Sequence, residues 1–151
     1  MKRFVSHSRI VPGAVLGGLL VVLLAGCTPE ANVYGKVDRN DPTFLFCQEF
    51  HGSDLIVRVS PRGELDYEEV WRLSGDVDID SADTIRIGDV LPGTTQTVPP
   101  DLVLDDMDVE ISLIDRVGSK ESVEFVATFA AGVLSSSYWS SQTSKLSEAP
   151  C

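Results

Sequence analysis

Apolar and polar residues alternate along most of this chain, which is the period of a half-buried β-strand. Leu55, Val57 and Val59 share one face of an extended segment. So do Val77 with Ile79, the set Met107, Val109, Ile111 and Leu113, and the set Val123, Phe125, Ala127 and Phe129. Between these runs stand residues that break strands: "HGSD", "SPRGE", "LPGTTQTVPPD" and "RVGSKE". No heptad, repeat or long helical period interrupts the pattern. About seven or eight short strands with regularly spaced turns predict an all-β fold, an antiparallel β-sandwich.

Two stretches depart from strict alternation. In "LDYEEVWRLSG", Leu65, Tyr67, Trp71 and Leu73 share a face only if Glu69 joins them, which predicts a bulge or edge near Glu68 and Glu69. "IRIGDVL" has the same fault, with Gly88 as the expected bulge residue. Trp71 and Phe125 are the expected central core aromatics, and Phe44, Phe46 and Phe50 alternate as a first core strand around Cys47. In pattern the chain resembles immunoglobulin-like and fibronectin-like sandwiches. The resemblance implies two packed sheets and assigns no activity, and the cysteines of this chain do not follow the immunoglobulin spacing.

The N-terminus has a different composition. Lys2, Arg3 and Arg9 precede an apolar stretch over residues 10–24 that holds Pro12, Gly13, Gly17 and Gly18, the layout of a secretory signal. A membrane-spanning helix needs roughly 20 apolar residues, and this run is shorter. It ends in Leu24, Ala25, Gly26 and Cys27, which resemble the lipobox of bacterial lipoproteins. That resemblance implies cleavage before Cys27, a diacylglycerol thioether on its sulfur and a membrane anchor on the extracytoplasmic side. Acyl chains contribute about 0.8 kcal/mol per buried methylene, so two or three of them hold a protein on a bilayer without any spanning helix. The organisation expected is a signal over residues 1–26, a lipidated cysteine and short tether over 27–40 with a possible edge strand at 32–37, and one sandwich domain over 41–151.

Charge narrows the partners. The whole chain carries a formal −11; residues 27–151 keep all 23 acidic residues against nine basic ones, a net charge of −14. Such a surface repels phosphate backbones and anionic headgroups, which excludes nucleic acid as a partner and leaves the covalent lipid as the link to the membrane. The expected partner is an envelope or extracellular protein, glycan or peptide. Cys47 and Cys151 are expected to pair in an oxidising compartment, tying down a serine-rich tail; an exposed free or intermolecular thiol at Cys151 is the competing reading.

Catalytic signals are sparse. Outside the signal the chain has one histidine, His51, and no G-x-S-x-G, Walker or Rossmann motif. Cys47, Glu49 and His51 share a face only if their segment is extended, and ligands at i, i+2 and i+4 of one strand diverge from a common metal ion. The segment "GDVDIDSAD" suggests a calcium loop, with Asp76, Asp78, Asp80 and Asp83 as candidate ligands. Counted from Asp76, however, it has Ser81 where an EF-hand requires glycine and Ile87 where it requires glutamate. Val77 and Ile79 explain the spacing as a strand with a solvated acidic face. Asp106 and Asp108 in "LDDMDVE" have the same character. Tyr138 and Trp139 are the candidate binding aromatics, one expected inward and one outward. The expectation is a non-catalytic binding or structural module with no cofactor. Calcium or a small solute at the aspartates is the alternative, and an enzyme the least favoured reading.

Overall fold

The computed structural model describes residues 32–38, 41–101, 106–143, 145–148 and 150–151, so the expected signal, the lipobox-like residues and Cys27 lie outside the described residues. Among the described residues, ten strands follow in order: β1 (Val33–Asp38), β2 (Asp41–Phe46), β3 (Phe50–Pro61), β4 (Glu68–Ile79), β5 (Thr84–Arg86), β6 (Thr94–Val98), β7 (Met107–Val117), β8 (Lys120–Phe129), β9 (Tyr138–Ser140) and β10 (Leu146–Ser147). They form two five-stranded sheets, β10-β9-β1-β2-β5 and β6-β4-β3-β7-β8, with antiparallel pairing between neighbours. The two sheets pack face to face, which is the sandwich that the alternation predicts.

The core is drawn from both layers. Val33, Phe44 and Phe46 from one sheet meet Leu55, Val57, Trp71, Leu73, Ile111, Leu113 and Phe125 from the other, all with no exposed surface. Phe50 stacks obliquely on Phe125 with centroids 4.4 Å apart, and Phe46 lies 5.6 Å from Phe125. Cys47 and Cys151 are joined, with their Cα atoms 5.3 Å apart, so the chain end is tied to the crossing between β2 and β3.

Several sequence expectations are corrected. The strand expected at an edge, β1, is the middle strand of its sheet, paired with β2 on one side and β9 on the other. Gly35, in the middle of β1, leaves room for side chains packed over it: a Cβ there would stand 2.7 Å from Leu134 and 3.0 Å from Phe129. Phe50 does not continue the strand of Phe44 and Phe46 but opens β3 in the opposite sheet, touching Phe46 edge-on across the layers. "HGSD" does not end a strand, because β3 runs through it as an irregularity between Gly52 and Asp54. "LPGTTQTVPPD" contains β6.

The bulge expected near Glu68 and Glu69 lies one residue on. Val57 pairs with Trp71 and Arg58 with Glu69, so Val70 is the extra residue. Val70 and Trp71 are consequently both buried, and Leu65, upstream of the strand, is 92% exposed rather than in the core. Gly88 sits at φ 98° in the turn after β5 and bulges no strand. A register shift between Leu113 and Ile114 pairs Val123 with Ile114 and turns it out of the core, leaving it 42% exposed.

"GDVDIDSAD" ends a strand and turns a corner. Val77 and Ile79 are buried while Asp76 and Asp78 face water, as the period requires. The chain then leaves β4 for the other sheet. Asp83 accepts the Asp80 N–H on its carboxylate, Ala82 N–H donates to Phe46 C=O at 2.7 Å, and Ser81 Oγ donates to Cys47 C=O. Ala82 takes φ 73° at this corner, a conformation unfavourable for a residue with a Cβ. Ala82→Gly is expected to raise stability by up to about 1 kcal/mol, the relief of strain less the added chain entropy of glycine. Urea unfolding of the two proteins measures it, and a loss in the glycine variant would count against the strained corner.

Candidate functional site

The register irregularity in β3 lies beside a concavity among the described residues. Gly52 pairs with Val77 and Asp54 with Ser74, so Ser53 on one strand faces Gly75 and Asp76 on the other. The strands spread there, and a shallow open depression of about 430 Å³ forms, lined by His51, Gly52, Ser53, Asp76, Val77, Asp78, Asp115 and Arg116. Two glycines shape it. A Cβ on Gly52 would meet Leu113 at 2.8 Å, and Gly75, at φ 132°, lets Gly93 and Thr94 approach closely.

Several of its polar groups are already engaged. His51 Nδ1 lies 2.6 Å from Asp78 Oδ1 in a pair directly opposed across β3 and β4, both side chains being mostly exposed. Ser53 Oγ donates to Asp115 Oδ1 at 3.0 Å and accepts the Arg116 N–H. Arg116 in turn pairs with the buried carboxylate of Asp54 at 3.1 Å and with Glu121 at 2.8 Å. Asp54 also accepts a bond from Ser74 Oγ, so its charge is satisfied from two sides, as burial demands.

Chemically, His51 with Asp78 has the form of an oriented imidazole, and the serine two residues along is held by Asp115 and the Arg116 backbone. Activation of a serine needs the base within hydrogen-bond reach of the hydroxyl, and here the hydroxyl is directed to an acid instead. The Cys47, Glu49 and His51 grouping does not form on one strand: Cys47 is in the disulfide, and Cys47 and Glu49 precede β3. What the groove offers is a wet cleft with a histidine, a guanidinium and three carboxylates, suited to polar recognition.

The candidate metal ligands fall into separate places. Asp76 and Asp78 rim the groove, while Asp80 and Asp83 build the corner between the sheets. Asp106 and Asp108 lie at the opposite end of β3. Met107 pairs with Pro61 there, whereas Asp78 pairs with His51 near the start of the strand. Asp106 takes Arg62 Nε at 2.6 Å, and Asp108 receives the N–H groups of Ala131 at 2.6 Å and Gly63 at 3.2 Å. Among the described residues, no group of three or more His, Cys, Asp or Glu side chains is placed to share an ion. Tyr138 and Trp139 are both half-buried, rather than one inward and one outward as expected. Trp139 is opposite Gly35 and binds Ser135 Oγ through Nε1, and the Tyr138 ring lies under Lys36 Nζ at 4.7 Å.

Sequence reasoning missed Ser53, Asp54, Asp115 and Arg116, which join β3 to β7 and β8. The available signal was Gly52 beside Ser53 within a strand whose later part is largely apolar, since a glycine inside a strand marks bulges. The outer face of the same sheet holds a second ordered set: Arg58 bridges Glu110 and Ser112, and Arg72 pairs with Glu69. Beyond them, Tyr67 has its phenol held above the usual range, first by burial and then by the acids Asp108 and Glu110.

Ionisation of Tyr67 is therefore harder in the folded protein than in the open chain, so the folded state keeps its proton longer. Its contribution is present below the ordinary tyrosine range and is lost as pH rises through the higher folded value. Ultraviolet titration is expected to show a tyrosine phase above the ordinary range that Tyr67→Phe removes. An unchanged titration in that variant would contradict the placement.

Comparison with known proteins finds no family model, no curated protein and no solved structure that matches this chain.

Proposed function

We propose that the chain is a membrane-anchored lipoprotein of the cell envelope whose sandwich serves as a binding or structural module on the extracytoplasmic side. The observation that supports this reading best is the use of the cysteines. Cys47 and Cys151 are joined in a cross-link of a kind that persists outside the cytosol, leaving Cys27, within the lipobox-like Leu24-Ala25-Gly26-Cys27, as the thiol available for lipid. The acidic surface agrees with attachment through acyl chains rather than through charge. A binding role fits the groove, where the histidine, serine and arginine are each held by a carboxylate partner.

Expression of the full chain in a bacterium, followed by fractionation and mass measurement, tests the reading. The wild type is expected in the membrane fraction with a mass equal to residues 27–151 plus acyl groups, and Cys27→Ala is expected to lose both the lipid and the membrane association. A mature protein that begins elsewhere, or keeps its membrane association without Cys27, would refute it.

A further inference from the structure

We infer that the sandwich stands on its membrane on the end that carries the groove, with the hairpin between β3 and β4 as the outermost point. The inference rests on the lipidation of Cys27 proposed above and adds an orientation to it. Asn32, just before β1, accepts the Cys47 N–H at 3.2 Å, and Val33 pairs with Phe46. The same end holds the disulfide, the start of β3 and the hairpin between Val117 and Lys120.

Five peptide steps separate Cys27 from Asn32, a reach of at most about 18 Å. β3 then runs 12 residues away from that end, a rise of roughly 36 Å, before it reaches the β3–β4 hairpin. The tether alone holds one end of the domain near the headgroups and leaves it free to tip. Charge decides against tipping. The tether already brings Glu49, Asp78, Asp80 and Asp83 toward the bilayer, and laying the domain flat would add the exposed Glu64, Asp66 and Glu68, with Asp106 balanced by Arg62. Each added acid is repelled by an anionic leaflet within a Debye length of its surface.

The orientation separates the two ends by task. The groove with His51, Asp78 and Arg116 opens within tether reach of the headgroups. Leu65, at 92% exposure, is carried outward on a hairpin tied down by Arg62 to Asp106 and by Gly63 to Asp108.

Full-length lipidated protein in vesicles of mixed zwitterionic and anionic lipid, with an energy-transfer acceptor on the headgroups, gives the test. A donor is attached to a non-natural residue replacing Val117 in one sample and Leu65 in another, both exposed positions outside the core. The donor at 117 is expected to lose most of its emission and the donor at 65 to keep most of it. Equal loss at the two positions, or greater loss at 65, in protein that floats with the vesicles overturns the orientation while leaving the anchor intact. If Cys27→Ala floats as well as the wild type, the anchor fails and the orientation with it.

Discussion

Removing the Cys47–Cys151 bond, by reduction or in C47A/C151A, is expected to lower the unfolding free energy by about 4–5 kcal/mol. The two residues are 104 apart in sequence, so the bond closes a loop that takes in nearly the whole described domain. In the open chain that constraint removes many conformations, and its loss returns them to the unfolded state. The native state changes as well. β9 has three residues and β10 two, too few to hold the last segment through ladder bonds alone. Their further ties include Ser141 N–H to Val33 C=O, Ser140 N–H to Lys145 C=O, Trp139 to Ser135, and Lys36 over the Tyr138 ring. Urea unfolding with and without reductant measures the global loss, and the denaturant slope is expected to rise because the uncrosslinked chain exposes more surface. Hydrogen exchange should place the first loss of protection in residues 138–148, while β3, β4 and β7 keep theirs. A loss below about 1 kcal/mol would mean that the tail is held by its own packing and that the entropic account fails for this chain.

The sandwich was legible because it depends on a period of two, which survives in the sequence wherever one face of a strand is wet. Val77 and Ile79 on β4, and Val109, Ile111 and Leu113 on β7, are read directly and stand where the period puts them. The failures share a cause. Ile56 alternates out of phase with Leu55 and Val57 yet has no exposed surface, and Ser60 and Asp54 on the same side are also buried. The outer face of the central strand is therefore covered, and its pattern is not one of simple alternation. Bulges at Val70, near Ser53 and near Glu124 each shift the phase by a residue, and the partner strand that defines them is not local in sequence.

The site was less legible for the same reason. His51 and Asp78 are 27 positions apart, and only the β3–β4 register brings them to 2.6 Å. Ser53 meets Asp115, and Arg116 meets Asp54, through contacts of comparable or longer range. The aspartates, by contrast, drew attention through their local density, and the fold distributes them: two to the groove, two to a corner, and, at the far end, Asp106 to the turn before β7 and Asp108 to the start of β7.

Truncating Trp71 is expected to cost about 3–5 kcal/mol, the range for removing a large aromatic from a packed core. Trp71 has no exposed surface and lies opposite Val57 on the central strand, beside the Val70 bulge that sets its direction. An alanine there leaves a void between the sheets that the strands, fixed by their ladders, fill only in part. The indole also donates from Nε1 to Gln96 Oε1 at 3.4 Å, which links the β4 core to the edge strand β6. That bond is long, and Gln96→Ala is expected to cost under about 1 kcal/mol. Trp71→Phe keeps most of the apolar contact and should fall between the two. Fluorescence provides a separate check, because the chain has two tryptophans and Trp139 is only half-buried. Trp71→Ala should remove the more blue-shifted emission and leave a redder band, which Trp139→Phe should do in reverse. Small domains hold about 5–15 kcal/mol in all, so W71A combined with C47A/C151A is expected to be unfolded at 37 °C, while either alteration alone leaves a cooperative transition. A triple variant that still unfolds cooperatively at that temperature would place the centre of the core elsewhere, with the phenylalanine cluster of Phe46, Phe50 and Phe125 as the next position to truncate.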